Sequence, residues 1–156
     1  MEIKELTFEE IKYYWKKYLW AKYTTPIKKI DLERKTGYFY KAVDHFTQEQ
    51  AERAIKATYI GCEIDAQIVG VESGYKTNIG YYRVRGLWVR ENYRHKGIAT
   101  KLIKWLEDRT KEKYIWTCPR ETTLPFYLNY GFEVSGLSER TIYGQNYFAV
   151  KINDNY

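Results

Sequence analysis

The chain has 156 residues, with 44% hydrophobic and 29% charged side chains and a formal charge of +6. This is the composition of an ordinary globular protein that attracts anionic partners, and the length suits one core, so we predict a single domain over residues 1–156. No apolar run approaches the ~18 residues of a membrane helix, and the N-terminus lacks the layout of a signal peptide, so we expect no membrane partner and a cytoplasmic location. The two cysteines, Cys62 and Cys118, with two histidines beside them, predict neither a disulfide framework nor a metal site.

The first part of the chain predicts a strand over residues 1–6, followed by a helix that starts at Thr7. Thr7 is a good N-cap, and Glu10 three residues later completes a capping box. Apolar residues then recur at helical spacing until Pro26 stops the pattern: Phe8, Ile11, Trp15, Tyr18 and Leu19. Residues 24–46 predict an irregular stretch, and a second helix opens at Thr47.

From residue 59 onward the pattern alternates between strands and helices. We predict strands over 59–64, 67–72, Tyr81–Val89, Tyr114–Thr117, 132–134 and 145–152, with a turn over 74–80. Amphipathic spacing predicts helices over 97–113 and 122–130, the second ended by Gly131. The element order β-α-α-β-β-β-α-β-α-β-β predicts an α/β chain with a mixed sheet.

Residues 87–100 run from a strand through a loop into the strongest predicted helix. Gly97 and Ala99 are small, so the backbone there can approach a ligand closely. The first N–H groups of a helix point outward without partners, and the helix dipole adds positive charge, to which Arg94 and Lys96 contribute full charges. These features together predict a pyrophosphate site. The alternative is a plain strand-to-helix turn with solubilising charges.

Two motifs then resemble those of the GNAT superfamily of acyl-CoA N-acyltransferases. Arg94-x-x-Gly97-x-Ala99 after a strand is similar to the family's acyl-CoA loop, Gln/Arg-x-x-Gly-x-Gly/Ala. The segment 126–132, Phe-Tyr-Leu-Asn-Tyr-Gly-Phe, is similar to the family's Phe-Tyr-x-x-x-Gly-Phe and lies after the next strand, as it does there. The resemblance covers nearly the whole chain. It implies a GNAT-like domain with a mixed, mostly antiparallel central sheet, flanking helices and a splayed parallel strand pair for the cofactor.

The resemblance implies acetyl-CoA as co-substrate and no metal. The splayed strands would be Tyr81–Val89 and Tyr114–Thr117, and backbone N–H groups of Leu87 and Val89 would bond the pantetheine or the thioester oxygen. The backbone amides from His95 to Thr100 would hold the pyrophosphate. The residues implied around the phosphates are Arg94, His95, Lys96, Gly97, Ile98, Ala99, Thr100 and Arg120, with Lys101 as a further candidate.

Tyr127 matches the family tyrosine that protonates the departing CoA thiolate; its alternative role is aromatic packing. Transfer to nitrogen also needs a group that takes the proton of the amine. Many family members carry an acidic residue on the strand where this chain has Arg83 and Arg85. Glu72 on the preceding strand is the candidate base, and the alternatives are a surface carboxylate or attack without a dedicated base. Arg83 and Arg85 share one face, which indicates either an acceptor with a carboxylate or phosphate or charge balance on a solvated face.

We therefore expect an N-acetyltransferase that moves the acetyl group of acetyl-CoA to a primary amine by direct attack in a ternary complex. The acceptor would be a small molecule, a peptide or a protein. One alternative is a CoA-binding protein without turnover. Another is a nucleic-acid-binding module, because the first helix interleaves aromatic residues with lysines; nucleic acid is not the expected partner, since no standard motif is present. The resemblance leaves a homodimer open.

Overall fold

The fold is a seven-stranded mixed sheet in the order β1-β2-β3-β4-β5-β7-β6. The computed structural model describes residues 1–20, 55–142 and 144–156, so the irregular stretch and the helix predicted at Thr47 lie outside the described residues. The strands are β1 (Glu2–Leu6), β2 (Thr58–Ile64), β3 (Gln67–Asn78), β4 (Tyr81–Val89), β5 (Tyr114–Thr117), β6 (Glu133–Thr141) and β7 (Gly144–Ile152). The pair β4–β5 is parallel and the others are antiparallel, which confirms the predicted mostly antiparallel sheet with one parallel pair.

Three α-helices are described: α1 (Phe8–Tyr14), α2 (Ile98–Arg109) and α3 (Leu124–Tyr130). They cover the two faces of the sheet and define two hydrophobic clusters. The cluster on the α2 and α3 face contains Ile60, Val69, Val84, Leu102, Leu106, Ile115 and Tyr127, among others. The cluster on the α1 face contains Leu6, Ile11, Trp15, Val71 and Trp88. No helix in the described ranges is long and apolar enough to cross a membrane.

Two predicted strand ends were wrong because pairing with the next strand of the hairpin extends each strand. The turn predicted over 74–80 is instead the end of β3, which runs to Asn78, so only Ile79 and Gly80 turn. Gly74 fits inside this strand because the ring of Tyr82 lies over it, where a Cβ would be only 2.4 Å from the ring. Likewise β6 continues to Thr141 and pairs with β7 as a long hairpin.

The capping box predicted at the start of α1 is confirmed. The Glu10 N–H donates to the Thr7 hydroxyl over 3.1 Å, and the Thr7 N–H donates to the Glu10 carboxylate over 3.0 Å. After α1 the chain makes one π-helical turn (Trp15–Leu19) rather than continuing as an α-helix. This π turn brings the fully buried Trp15 against β4, where its indole N–H donates to the Gly86 carbonyl over 2.8 Å.

Gly86 forms a bulge in β4. Val71 pairs with Trp88 and Ser73 with Arg85, so two steps along β3 match three along β4. Gly86 has a φ of +83°, and a Cβ there would lie 2.5 Å from the Trp15 indole. The bulge therefore requires glycine both for its backbone conformation and for the close approach of the indole.

Replacing Gly86 by alanine should destabilise the protein strongly. A left-handed φ costs a side-chain-bearing residue about 1–2 kcal/mol, and the clash with Trp15 should add about 1–3 kcal/mol. Gly80→Ala is the matched control, because Gly80 has a φ of +84° but a Cβ added there would meet nothing within 4 Å. Chemical denaturation should give a larger loss for Gly86→Ala; equal losses would contradict the packing argument.

A buried polar cluster fixes the end of α2. The Lys151 ammonium forms an ion pair with the Glu107 carboxylate, which also accepts hydrogen bonds from the Tyr130 hydroxyl (2.7 Å) and the Asp154 N–H (2.9 Å). The side-chain amide of Asn153 donates to the carbonyl oxygens of Thr110 and Glu112 just after α2. These contacts explain why α2 ends at Arg109 rather than at the predicted residue 113.

Candidate active site

The sheet opens into a fork between β4 and β5. The two strands pair over three positions, from Tyr81 with Tyr114 to Arg83 with Trp116. Beyond Arg83, β4 keeps β3 on one edge, whereas β5 ends at Thr117 and pairs with β7 on its other side. Residues 84–89 of β4 therefore have no strand partner on the β5 side within the described part of the chain.

The backbone of Leu87 and Val89 faces this opening. The Arg90 N–H donates to the Val69 carbonyl over 2.7 Å, so Arg90 directs its N–H toward β3. Backbone direction alternates along a strand, and Val89, one residue earlier, therefore directs its N–H to the open edge, as does Leu87. The two residues predicted to bond a pantetheine chain thus have their N–H groups on the edge where such a chain would enter.

The loop between β4 and α2 has the geometry of an anion site. His95 and Gly97 have φ values of 61° and 83°, and α2 begins directly after Gly97. The first bond inside the helix runs from the Lys101 N–H to the Gly97 carbonyl, so the N–H groups of Ile98, Ala99 and Thr100 have no acceptor within the helix. This loop is exposed from Arg94 to Gly97, with open space around Gly97, which leaves room for a diphosphate.

The basic residues predicted around the phosphates differ in their contacts and in their exposure to solvent. Arg94 donates from Nε to the Val89 carbonyl over 2.8 Å, which ties the loop to the end of β4. Lys96 lies over the ring of Tyr93 and is exposed, as is Lys101 on the first turn of α2. The backbone of Arg120 instead forms an isolated antiparallel β-bridge with Asn146 of β7, and its carbonyl accepts the Leu124 N–H at the start of α3. Its described contacts are therefore with the β7 and α3 side of the fork.

Tyr127 lies on α3 beside the fork and is buried. Burial and the nearby Glu72 carboxyl raise the pKa of Tyr127 well above its usual value, and a hydrogen bond with the Thr117 side chain and the Arg83 charge oppose this shift. The phenol therefore stays protonated at physiological pH. Thr117, at the end of β5, is a site residue that the sequence analysis missed, since nothing in its local pattern distinguishes it from other strand threonines.

Glu72 is fully buried, so the interpretation of it as a surface carboxylate was wrong. It pairs with Ile60 of β2, so the two side chains share one face of the sheet. Ile60 belongs to the same hydrophobic cluster as Tyr127, which places Glu72 on the Tyr127 side of the sheet. One carboxylate oxygen accepts the Ser73 N–H over 3.0 Å, and the other, Oε2, is buried without a hydrogen-bond partner in the described structure. Burial raises the pKa of Glu72 to about 8, although hydrogen bonds and the charges of Arg85 and Arg83 oppose the shift.

Arg83 and Arg85 are also buried, so the solvated-face interpretation of this pair was wrong as well. Both lie on the α1 face of the sheet, and each guanidinium packs on indole rings. Arg83 lies 4.9 Å from the Trp116 ring centre and donates to the Tyr75 hydroxyl over 3.2 Å. Arg85 lies 4.8 Å from the ring centre of Trp20 and 5.2 Å from that of Trp15. Indole faces attract guanidinium groups and offset part of the cost of burying them.

The aromatic residues of the first helix are largely engaged in packing. Trp15 is buried, while Tyr14 and Tyr18 stack on Trp88 with ring centres 5.7 and 4.3 Å apart. These contacts occupy ring faces that a nucleic-acid base would need for stacking. Among the described residues there is also no group of three or more His, Cys, Asp or Glu side chains that could hold a metal ion.

Comparison with known proteins identifies the fold. Residues 56–134, which are half of the chain and contain the fork, the loop and α3, match the family model of the acetyltransferase (GNAT) domain. A search of curated proteins gave no match.

Solved structures with the same fold cover nearly the whole chain. One is an aminoglycoside 6'-N-acetyltransferase complexed with coenzyme A, 12% identical over 97% of each chain with a TM-score of 0.60. Others are the PaiA N-acetyltransferase from Thermoplasma acidophilum in complex with coenzyme A (15% identical, 97% of this chain and 98% of that chain, TM-score 0.59) and a GNAT family acetyltransferase from Elizabethkingia anophelis with acetyl-CoA bound (13%, 97% of each chain, 0.59). With the family match, the chain belongs to the GNAT acetyltransferase family.

Proposed function

We propose that this enzyme transfers the acetyl group of acetyl-CoA to a primary amine by direct attack in a ternary complex. The observation that carries the proposal is the arrangement at the fork. Tyr127 and Glu72 lie on one face of the sheet beside the open edge of β4, and an exposed cationic loop leads away from the far end of that edge. An acyl donor with a diphosphate at one end and a thioester at the other fits these two separated features.

The residues of the chain would hold acetyl-CoA mainly through the backbone. The N–H groups from His95 to Thr100 suit the diphosphate, and those of Leu87 and Val89 suit the pantetheine arm and the thioester oxygen. Acetyl-CoA supplies a thioester carbonyl that an amine attacks, with the CoA sulfur as the leaving group. Since the space beside Gly97 is open, the loop accommodates this ligand without rearrangement of a side chain there.

Tyr127 supports the departure of the sulfur. Its hydroxyl keeps its proton across the physiological pH range because its pKa is raised. It therefore acts first as a hydrogen-bond donor to the sulfur, and passes its proton as negative charge develops there. A free thiol has a pKa near ~8.5, so the raised pKa of Tyr127 makes full proton transfer less favourable than for an exposed tyrosine.

Glu72 is the candidate acceptor of the amine proton. Its unpartnered Oε2 can accept a hydrogen bond, and a pKa of about 8 lets the carboxyl take and release protons near neutral pH. An alkyl amine with a pKa near ~10.4 is mostly protonated at neutral pH and needs such a group. In many family members the acidic residue lies on the strand that carries Arg83 and Arg85 here. Glu72 on β3 would take the place of that residue in this chain.

The cofactor site is tested by the melting temperature in the presence of acetyl-CoA. A ligand that binds only the folded state at a hundred times its Kd stabilises that state by ~2.7 kcal/mol. The wild type should show a clear upward shift, and Gly97→Glu should lose it, because the added side chain and charge occupy the diphosphate position. Gly80→Glu is the matched control, since Gly80 has nearly the same φ and equally open surroundings, and it should keep the shift.

No shift in the wild type at millimolar acetyl-CoA would overturn the proposal, unless a longer acyl-CoA gave one. A second measurement distinguishes acetyl transfer from CoA binding without turnover. Release of free thiol from acetyl-CoA in the presence of amines indicates transfer, whereas binding without thiol release across a broad amine panel indicates a non-catalytic protein.

A further inference from the structure

We propose that Trp15 is a positioning residue for acetyl transfer. Its indole N–H holds the Gly86 carbonyl, and it thereby directs the N–H of the same peptide group, that of Leu87, toward the thioester oxygen of acetyl-CoA. The inference rests on the proposed function and adds to it a residue of the first helical segment. Trp15 would act through the backbone of β4 rather than by contact with a ligand.

The orientation of the peptide group between Gly86 and Leu87 decides where the Leu87 N–H points. A peptide group is planar and trans, so its C=O and its N–H point in opposite directions; none of the described peptide bonds is cis. The Gly86 carbonyl accepts the Trp15 indole N–H over 2.8 Å. The Leu87 N–H therefore points away from the indole, which agrees with its direction toward the open edge of β4.

The glycine in the bulge gives this hydrogen bond its importance. Gly86 has a φ of +83° and lies where the ladder between β3 and β4 is interrupted. Because glycine lacks a Cβ, the peptide groups beside it can turn through a wide range of angles. A hydrogen bond from a fixed donor selects one of these orientations. The preceding peptide group of the bulge is held in the same way, since the Ser73 hydroxyl donates to the Arg85 carbonyl over 2.6 Å.

The indole donor is fixed in place by its packing. Trp15 is fully buried, and its ring centre lies 5.1 Å from that of Trp20 and 6.1 Å from that of Tyr59. The guanidinium of Arg85 lies 5.2 Å from the Trp15 ring centre. Trp15 also begins the π turn, and π turns are rare and frequently lie at functional sites. The donor therefore has little freedom to follow the Gly86 carbonyl, so the peptide group takes the orientation that the donor sets.

An N–H group that is directed in advance would stabilise the transition state. As the amine nitrogen bonds to the thioester carbon, negative charge develops on the carbonyl oxygen; the C–S bond then breaks, Glu72 takes the amine proton and the sulfur takes a proton from Tyr127. Loss of one preorganised donor to such an oxygen costs ~10²–10³-fold in kcat. The indole also polarises the peptide group, because hydrogen bonds in a chain strengthen one another.

The test compares Trp15→Phe with Ser73→Ala. The first removes the donor to the peptide group that carries the Leu87 N–H, whereas the second removes a donor to the neighbouring peptide group of the same bulge. With kcat counted per CoA-binding site, Trp15→Phe should lower kcat by about 10–100-fold, since the Leu87 N–H is misdirected rather than removed. Its Kd for CoA, which has no thioester oxygen, should stay within about threefold of wild type.

Ser73→Ala controls for a general loss of stability. It should lower the melting temperature by about 2–4 °C, as expected for one hydrogen bond in a chain of this size. Its kcat per site should stay within about threefold of wild type, because the Leu87 peptide group keeps its own donor. An unchanged kcat per site in Trp15→Phe, or equal falls in the two variants, would overturn the inference.

Spectroscopy measures the hydrogen bond to the thioester directly. The C=O stretch of acetyl-CoA labelled with ¹³C at the carbonyl should move to lower frequency in the wild-type complex, because a hydrogen bond weakens the double bond. The shift should be smaller in Trp15→Phe and retained in Ser73→Ala. In the wild type, acetyl-CoA should also protect the Leu87 N–H from hydrogen exchange more than CoA does. Equal protection by the two ligands would overturn the inference even if Trp15→Phe does not fold.

Failure of the proposed function gives a different pattern. If acetyl-CoA neither stabilises the wild type nor releases thiol with any amine, acetyl transfer is rejected, and the positioning role is rejected with it. If the wild type releases thiol with an amine and Trp15→Phe does so at the same rate per site, only the role of Trp15 is rejected.

Discussion

Replacing Tyr127 by phenylalanine should lower kcat by about 10²-fold or more, with little change in the KM for acetyl-CoA. General acid catalysis by a positioned side chain contributes ~10²–10⁴-fold, and the Tyr127 phenol is the proposed proton donor to the departing sulfur. The ring itself should stay in place, since it packs edge-on against Phe126 and Phe132. The loss of the hydrogen bond with Thr117 should cost about 1 kcal/mol of stability. Steady-state kinetics and denaturation of the same variant separate the two effects.

Tyr130→Phe is the matched control for this substitution. Tyr130 is one turn later on α3, and its hydroxyl donates to the buried Glu107 carboxylate rather than to the fork. Its removal should reduce stability by about 1.5–3 kcal/mol, as for a hydrogen bond to a charged group, while kcat stays within about twofold. If Tyr127→Phe retained the wild-type kcat, Tyr127 would be a packing residue, and the departing sulfur would need another proton donor.

Replacing Glu72 by glutamine should change the pH dependence of the reaction as well as its rate. In the wild type, kcat/KM should rise about tenfold per pH unit below a pH near 8 and then level off, because only the ionised carboxylate accepts the amine proton. The raised pKa of Tyr127 means that no descending limb from this phenol should appear below about pH 10. Glu72→Gln should lose the limb near pH 8 and about 10²-fold in rate.

Although Glu72→Gln should slow the reaction, it should raise the stability of the folded protein relative to wild type at alkaline pH. The pKa of Glu72 is higher in the folded state, about 8, than its ordinary value of 4.5, so burial favours the protonated form. The associated stability is fully present below the ordinary pKa and is lost as the pH rises through the folded one. Glu72→Gln should therefore gain stability relative to wild type between pH 5 and pH 9, by a few kcal/mol. A pH–stability difference that is flat over this range would contradict the burial of an ionisable Glu72.

Local signals in the sequence predicted much of the fold. The capping box at Thr7, the helix start after Gly97 and the helix end at Gly131 each depend on residues within a few positions of one another, and all three are present in the structure. The positions of β4 and β5 also followed from alternating patterns bounded by turn residues. The loop geometry was predictable for the same reason, since a strand, a glycine and a helix N-terminus are adjacent in the chain.

Burial of the charged residues was not predictable in this way. Arg83 and Arg85 alternate along β4 as surface residues do, and the indoles of Trp116, Trp15 and Trp20, which offset part of the cost of their burial, come from other elements. Glu72 is likewise buried by elements far away in the sequence. The contact between Trp15 and Gly86 joins residues 71 positions apart.

The fork has a consequence for how this protein tolerates sequence change. In the proposed arrangement its donors toward acetyl-CoA would mostly be peptide N–H groups, which every residue except proline possesses, so most substitutions at Leu87, Val89 or Thr100 would leave the donor itself intact. The residues that hold the backbone in position are less replaceable, above all Trp15 and Gly86. In a comprehensive mutational scan, substitutions at these positioning residues should therefore reduce function more than substitutions at positions that contact the ligand through their backbone. Over evolutionary time, the acceptor-facing side chains can diverge while the donor site persists.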